Sequence, residues 1–99
     1  MKILLICSAG MSTSLLVTKM TKVAEERGLE LEILAHGVAE AKRFVNQVDI
    51  ILLGPQVRFL KDEMTKAASV PVQVIDMRAY GRMDGARVLD DALMELDQA

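Results

Sequence analysis

The sequence has one cysteine, one histidine, no tryptophan and three aromatic residues in all, Phe44, Phe59 and Tyr80. Each scarcity removes a class of function. A single thiol, Cys7, closes no internal disulfide, so nothing points to an oxidising compartment. Three aromatics make no stacking platform for nucleic-acid bases. An excess of one charge is also missing: 12 Lys plus Arg stand against 14 Asp plus Glu, a net charge of −2. That balance gives no broad basic field for nucleic acid or an anionic membrane surface. The apolar opening, residues 3–6, is too short to cross a bilayer or to form a signal-peptide core. The expectation is a cytoplasmic, soluble protein with no direct membrane insertion and no nucleic-acid partner.

What is present is apolar residues in abundance. They make up 52% of the 99 residues, enough for a core without a metal or disulfide staple and for one domain over residues 1–99. Short apolar runs alternate with helical periodicity, the pattern of an α/β fold. Residues 3–6 read as a strand covered on both faces. A first helix is predicted over residues 13–27, with Leu16, Met20, Val23 and Ala24 inward and Lys19, Lys22, Glu25 and Glu26 in water. Gly28 follows as a left-handed cap. Residues 29–35 alternate like a half-buried strand near a sheet edge. Val38, Ala41, Phe44, Val45 and Val48 mark a second helix, and residues 49–53 a central strand. Pro55 suits the first turn of a third helix, whose inner stripe is Val57, Leu60, Met64 and Ala67. Residues 72–75 give a last strand, with Pro71 compatible with an edge. Residues 76–85 show no period and read as a loop. Asp84 caps a final helix that buries Leu89, Ala92, Leu93 and Leu96. The sum is an α/β fold: a single open, doubly wound sheet of four parallel strands with about four helices on both faces. Its ligand rim carries the loops after Cys7, Ala35, Leu53 and Ile75.

Cys7 ends the first strand and is followed by Ser8-Ala9-Gly10-Met11-Ser12-Thr13-Ser14. The amino end of a helix carries partial positive charge and unpaired N–H groups. These favour thiolate over thiol and cradle a tetrahedral dianion. Ala9 and Gly10 let the backbone curl towards the ligand. Ser8, Ser12, Thr13 and Ser14 offer hydroxyls, one of them as helix cap. A lone cysteine at a strand end is most often a small core hydrophobe. Four hydroxyls and a glycine directly after it move the balance towards a phosphate-binding loop of phosphatase-like form. Phosphatases with such a loop carry an arginine six residues after the cysteine, where this chain has Thr13. Without that clamp, the loop is suited to accept a phosphoryl group and pass it on rather than release it to water.

The segments Cys7 to Leu16, Leu52-Leu53-Gly54-Pro55-Gln56, Val74-Ile75-Asp76, Tyr80-Gly81 and Asp84-Gly85 together resemble the IIB component of the bacterial phosphoenolpyruvate-dependent sugar phosphotransferase system. The resemblance is to the lactose/cellobiose class, cellobiose or chitobiose branch, and covers essentially the whole chain. It implies a phosphotransferase in which Cys7 takes a phosphoryl group from a phosphohistidine of the IIA protein. Cys7 then donates it to a β-linked disaccharide or oligosaccharide carried by the membrane component IIC. No cofactor and no metal enter this scheme. Gln56, Asp76 and Tyr80 are candidates to support the loop from the neighbouring rim segments. For two of them a structural duty competes: tying the Gly54-Pro55 turn for Gln56, packing over the last helix for Tyr80. Met11 is a candidate for a docking patch, with core filling as its alternative. His36 reads as a solvated or capping residue. Two rivals stay open: a low-molecular-weight phosphatase or arsenate-reductase-like enzyme, and a flavodoxin-like regulatory module whose thiol is incidental.

Overall fold

Alternation of side chains on two buried strands decides the architecture. The computed structural model describes residues 1–7 and 10–98, with the side chains of residues 10–13 and 98 outside that description. Strands β1 (Lys2–Ile6), β2 (Glu32–His36), β3 (Ile50–Leu53) and β4 (Val72–Val74) form one parallel sheet in the order β2-β1-β3-β4. Ile3, Leu5, Ile50 and Leu52 project to one face, and Leu4, Ile6, Ile51 and Leu53 to the other. All eight are fully buried. This is why both central strands read as continuous apolar runs: each face needs its own helical cover.

Helices α1 (Gly10–Glu26), α4 (Met77–Gly81) and α5 (Gly85–Gln98) cover the first face. Leu16, Met20 and Ala24 of α1 pack there with Val88, Leu89 and Ala92 of α5. The second face is covered by α2 (Val38–Ala41), a 3-10 segment (Pro55–Leu60) and α3 (Lys61–Ala67). The chain therefore winds both ways from β1, and its order reverses between β1 and β3. β2 and β4 are the edges, as the half-buried second strand and Pro71 lead one to expect.

Several boundaries differ from the sequence-based expectations, each for a local reason. α1 begins at Gly10 rather than at residue 13, so Ser12, Thr13 and Ser14 fall inside the helix and none of them is its N-cap. Gly28 does adopt the left-handed conformation (φ +70°). The Gly28 N–H donates to the Glu25 carbonyl and the Leu29 N–H to the Ala24 carbonyl, a Schellman closure. That closure ties residue 29 to the helix, so β2 starts only at Glu32 instead of residue 29. α2 is four residues long. Beyond it Arg43, Phe44 and Gln47 donate to carbonyls three residues back rather than four. Phe44, Val45 and Val48 are poor helix formers, and this tighter winding still buries Ala41, Val45 and Val48. The 3-10 winding after Pro55 likewise shifts the phase of the next stripe. Val57, Leu60 and Met64 are buried as expected, but Ala67 is exposed and Ala68 packs instead. Asp49 lies just before β3, its carboxylate accepting the Lys2 N–H at 2.8 Å. The segment 76–85 is not a simple loop: it contains α4, a helix too short to show a period in sequence.

α1 and α5 touch backbone to backbone. A methyl group at Gly85 would lie 2.7 Å from both the Lys19 carbonyl carbon and the Met20 nitrogen. Asp84, just before Gly85, caps α5 by accepting the Arg87 N–H at 3.0 Å, as its position in the sequence implies. Arg27 and Asp90 pair across the same two helices. Gly85→Ala is therefore expected to destabilise the protein by about 2 kcal/mol or more, because main chain and not a flexible side chain must yield. Gly81→Ala, with nothing within 4 Å of the added carbon, should be neutral or slightly stabilising. Urea unfolding of the two variants beside wild type checks both.

Candidate functional site

In a doubly wound sheet the crevice opens outside the carboxyl ends of the strands, where the strand order reverses. Here that point lies between β1 and β3, and Cys7 is the residue that follows β1. Its N–H donates to the His36 carbonyl at the end of β2 (3.3 Å). On the other side the Gly54 N–H donates to the Ile6 carbonyl (2.8 Å). The ladder thus fixes Cys7 between the ends of its two neighbouring strands, three residues before the start of α1.

The close approach of the β3 end to Cys7 depends on glycine. A methyl group at Gly54 would stand 3.2 Å from Cys7 Cβ, 3.4 Å from the Ile6 carbonyl oxygen and 3.1 Å from Gln56 Oε1. The Gln56 oxygen can move, but Cys7 Cβ and the Ile6 carbonyl are held by the sheet. A side chain at 54 would push directly on the cysteine. Cys7 itself is 4% exposed, yet it belongs to neither hydrophobic cluster. It sits at the rim, above both cores.

The other candidate residues separate on inspection. Gln56 is exposed, with its carboxamide folded back over Gly54 beside Cys7. Asp76 is the N-cap of α4, its carboxylate accepting the N–H groups of Arg78 and Ala79 at 3.1 and 3.0 Å. Tyr80 is buried in the cluster shared by α1 and α5. Asp76 and Tyr80 thus have structural duties on the β4 side of the rim, while Gln56, like Cys7, closes on Gly54. His36 is half-buried, stacked on Phe44 at 4.4 Å between ring centroids, with Nδ1 3.3 Å from Glu40 Oε2. It holds the β2 end of the rim. Ser8 and Ala9 lie outside the described residues, as do the side chains of Gly10, Met11, Ser12 and Thr13, including the expected docking role of Met11. Ser14 is exposed in α1, and its carbonyl accepts the Thr18 hydroxyl at 3.0 Å. Among the described residues no three His, Cys, Asp or Glu side chains are grouped to hold a metal ion.

Comparison with known proteins decides what kind of rim this is. A family model described as the lactose/cellobiose-specific IIB subunit of the phosphotransferase system matches residues 2–91. The chain belongs to that family. It is 52% identical over 95 residues to the oligo-beta-mannoside-specific EIIB component of Bacillus subtilis (strain 168), covering 93% of this chain and 92% of that one. It is 47% identical over 95 residues to the galactose-specific EIIB component of Lactococcus lactis subsp. cremoris, covering 88% of each. The solution structure of the cellobiose-specific IIB component from Borrelia burgdorferi superposes with a TM-score of 0.82 at 38% identity, covering 99% of this chain and 93% of that one. IIB subunits are phosphotransferases, and this chain is one; the system in which it works includes IIA and IIC components.

Hydrophobic spacing does not single out every residue that shapes this IIB rim. Phe59 and Met77 are 76% and 62% exposed and line one hollow with Pro55, Gln56 and Arg58. The available signal is phase: Phe59 lies off the Val57, Leu60, Met64 stripe. Gly54→Ala is expected to slow alkylation of Cys7 by iodoacetamide several-fold while costing about 1 kcal/mol in urea unfolding, because the crowding is local. Equal alkylation rates would show that Gly54 does not set the space around the thiol.

Proposed function

We propose that Cys7 is the residue that carries the phosphoryl group. On this reading residues 1–99 act as one IIB domain on the cytoplasmic side. The observation that carries it is the position of Cys7 at the switch point of the sheet, with Gly54 allowing the end of β3 to pack directly against it. Family membership supports it, since a transferase needs a nucleophile and this is the one thiol in the sequence.

The chemistry has two steps. The Cys7 sulfur, as thiolate, attacks the phosphorus of a phosphohistidine on IIA. A P–S bond forms, the P–N bond breaks, and the imidazole nitrogen takes up the proton that the thiol gave away. In the second step a hydroxyl oxygen of the sugar held by IIC attacks the same phosphorus. The P–S bond breaks, the thiolate leaves, and the hydroxyl proton passes to a base on the acceptor side. The unpaired main-chain N–H groups at the start of α1 hydrogen-bond the phosphoryl oxygens in both steps. Gln56 is placed to donate its amide to one of them if its carboxamide turns. Thr13, where phosphatases have arginine, leaves hydrolysis without its clamp.

The sugar on this reading is a β-linked disaccharide or oligosaccharide, in keeping with the mannoside- and cellobiose-specific names of two relatives. Three relatives with three different sugar names share this domain, so the choice among sugars is assigned to IIC. Among the described residues no helix is long and apolar enough to cross a membrane, which agrees with a separate component delivering the sugar.

At 4% exposure, Cys7 must be uncovered locally when a partner docks. Cys7→Ser is expected to abolish both acceptance from IIA and donation to sugar, with unfolding midpoint within about 1 kcal/mol of wild type, since the side chains differ by one atom. Phosphoryl flow from phosphoenolpyruvate to labelled cellobiose, measured with purified general proteins, IIA and IIC membranes, is the check. Continued flow through Cys7→Ser would overturn the assignment. Turnover of p-nitrophenyl phosphate should be negligible; brisk hydrolysis would favour the phosphatase alternative.

A further inference from the structure

We propose that the hollow formed by Pro55, Arg58, Phe59 and Met77 is the docking surface for the phosphoryl-donor protein, which meets it with an apolar centre rimmed by carboxylates. The inference rests on the reading of Cys7 as the phosphoryl site and names the surface through which the donor reaches it.

Three observations converge. First, the hollow adjoins the cysteine. Gln56 lines it, and the oxygen of the same side chain lies over Gly54 beside Cys7. Second, its centre is apolar although it faces water. Phe59 and Met77 come from different rim segments, one after β3 and one after β4, and are the two most exposed large hydrophobic side chains among the described residues. Two such residues meeting in one hollow is the composition of an interface centre, where aromatic and methionine side chains are enriched. Third, its edge is cationic in a chain of net charge −2. Arg58 lines the hollow itself, and Arg78 and Arg82 line a second hollow that shares Met77 with it. Among the described residues no carboxylate is paired with any of the three arginines. Asp76 and Asp84 also line the second hollow, their carboxylates accepting helix N–H groups of α4 and α5, and the three arginines outnumber them. The charge left for a partner is positive.

That charge discriminates between the two proteins the carrier must meet. Loops of membrane proteins on the cytoplasmic side carry an excess of Lys and Arg. Such loops are repelled by an arginine edge. A soluble donor with acidic residues around its phosphohistidine is attracted, and its encounter is steered electrostatically. The patch is therefore assigned to the donor.

The test follows initial rates of phosphoryl arrival on Cys7 as a function of phosphorylated IIA concentration, at low and high salt. Phe59→Ser combined with Met77→Ser should raise KM for IIA about tenfold or more and leave kcat within about twofold, as expected when apolar anchors are lost. Arg58→Glu combined with Arg78→Glu should raise KM and abolish its increase with salt. Met94→Ser, which removes an exposed methionine on α5, should change neither. Once phosphorylated, the Phe59/Met77 variant should pass its phosphoryl group to sugar through IIC at the wild-type rate. An unchanged KM in both double variants overturns the docking surface. So does a defect confined to the IIC step, which assigns the patch to the membrane acceptor. If wild type takes no phosphoryl group on Cys7, the underlying reading fails, an outcome visible before any variant is made. Circular dichroism and urea midpoints at wild-type values exclude misfolding as the cause of a raised KM.

Discussion

One main-chain hydrogen bond, from the Gly54 N–H to the Ile6 carbonyl at 2.8 Å, holds the site together. It is the last rung of the β1–β3 ladder, and it sets the two strand ends side by side where the chain turns to opposite faces of the sheet. Everything on the rim is placed relative to it. Cys7 follows Ile6 directly, and Gly54 is pressed close enough to Cys7 that any side chain at 54 must displace its neighbours. The rung is rigid because the strands beneath it are fully buried on both faces. A displacement of about 1 Å at a reacting atom can cost roughly a hundredfold in rate, so a phosphotransferase gains from a stiff sheet end.

The two faces of the sheet divide the work. The α1/α5 face is built for close backbone contact, with Gly85 against Lys19 and Met20, and it anchors the helix that begins just after Cys7. The opposite face is wound more tightly, with 3-10 geometry after Pro55 and i→i−3 bonds after α2. That winding has a cost in helical regularity. It also rotates Arg58 and Phe59 outward while Val57 and Leu60 stay buried, which puts an aromatic ring and a guanidinium in the hollow that Gln56 also lines.

The sheet was legible from residue patterns because a buried parallel strand needs an unbroken apolar run, and residues 3–6 and 49–53 supply one. The caps at Gly28 and Asp84 were legible because left-handed backbone and orphan N–H groups select few residue types. The nucleophile candidate was legible from Cys7 and the hydroxyl-rich segment after it. What stayed hidden depends on hydrogen-bond spacing or on contacts between distant segments. Asp76 as a cap for α4 was hidden because five residues are too few to show a period. The late start of β2 was hidden in the Schellman closure at Gly28 and Leu29. The nearness of Phe59 to Met77 was hidden because they follow different strands, and only the parallel pairing of β3 with β4 brings them to one hollow.

The central claim is that the sulfur of Cys7 bonds covalently to phosphorus. Its most direct measurement is mass spectrometry of the intact chain and its peptides after incubation with phosphoenolpyruvate, the general transfer proteins and IIA, under conditions that preserve thiophosphate. The account predicts one added phosphoryl group, located on the peptide containing Cys7 and lost when phosphorylated protein is mixed with IIC membranes and sugar. A phosphoryl group found on His36, or none on the Cys7 peptide while sugar is still phosphorylated, would contradict it.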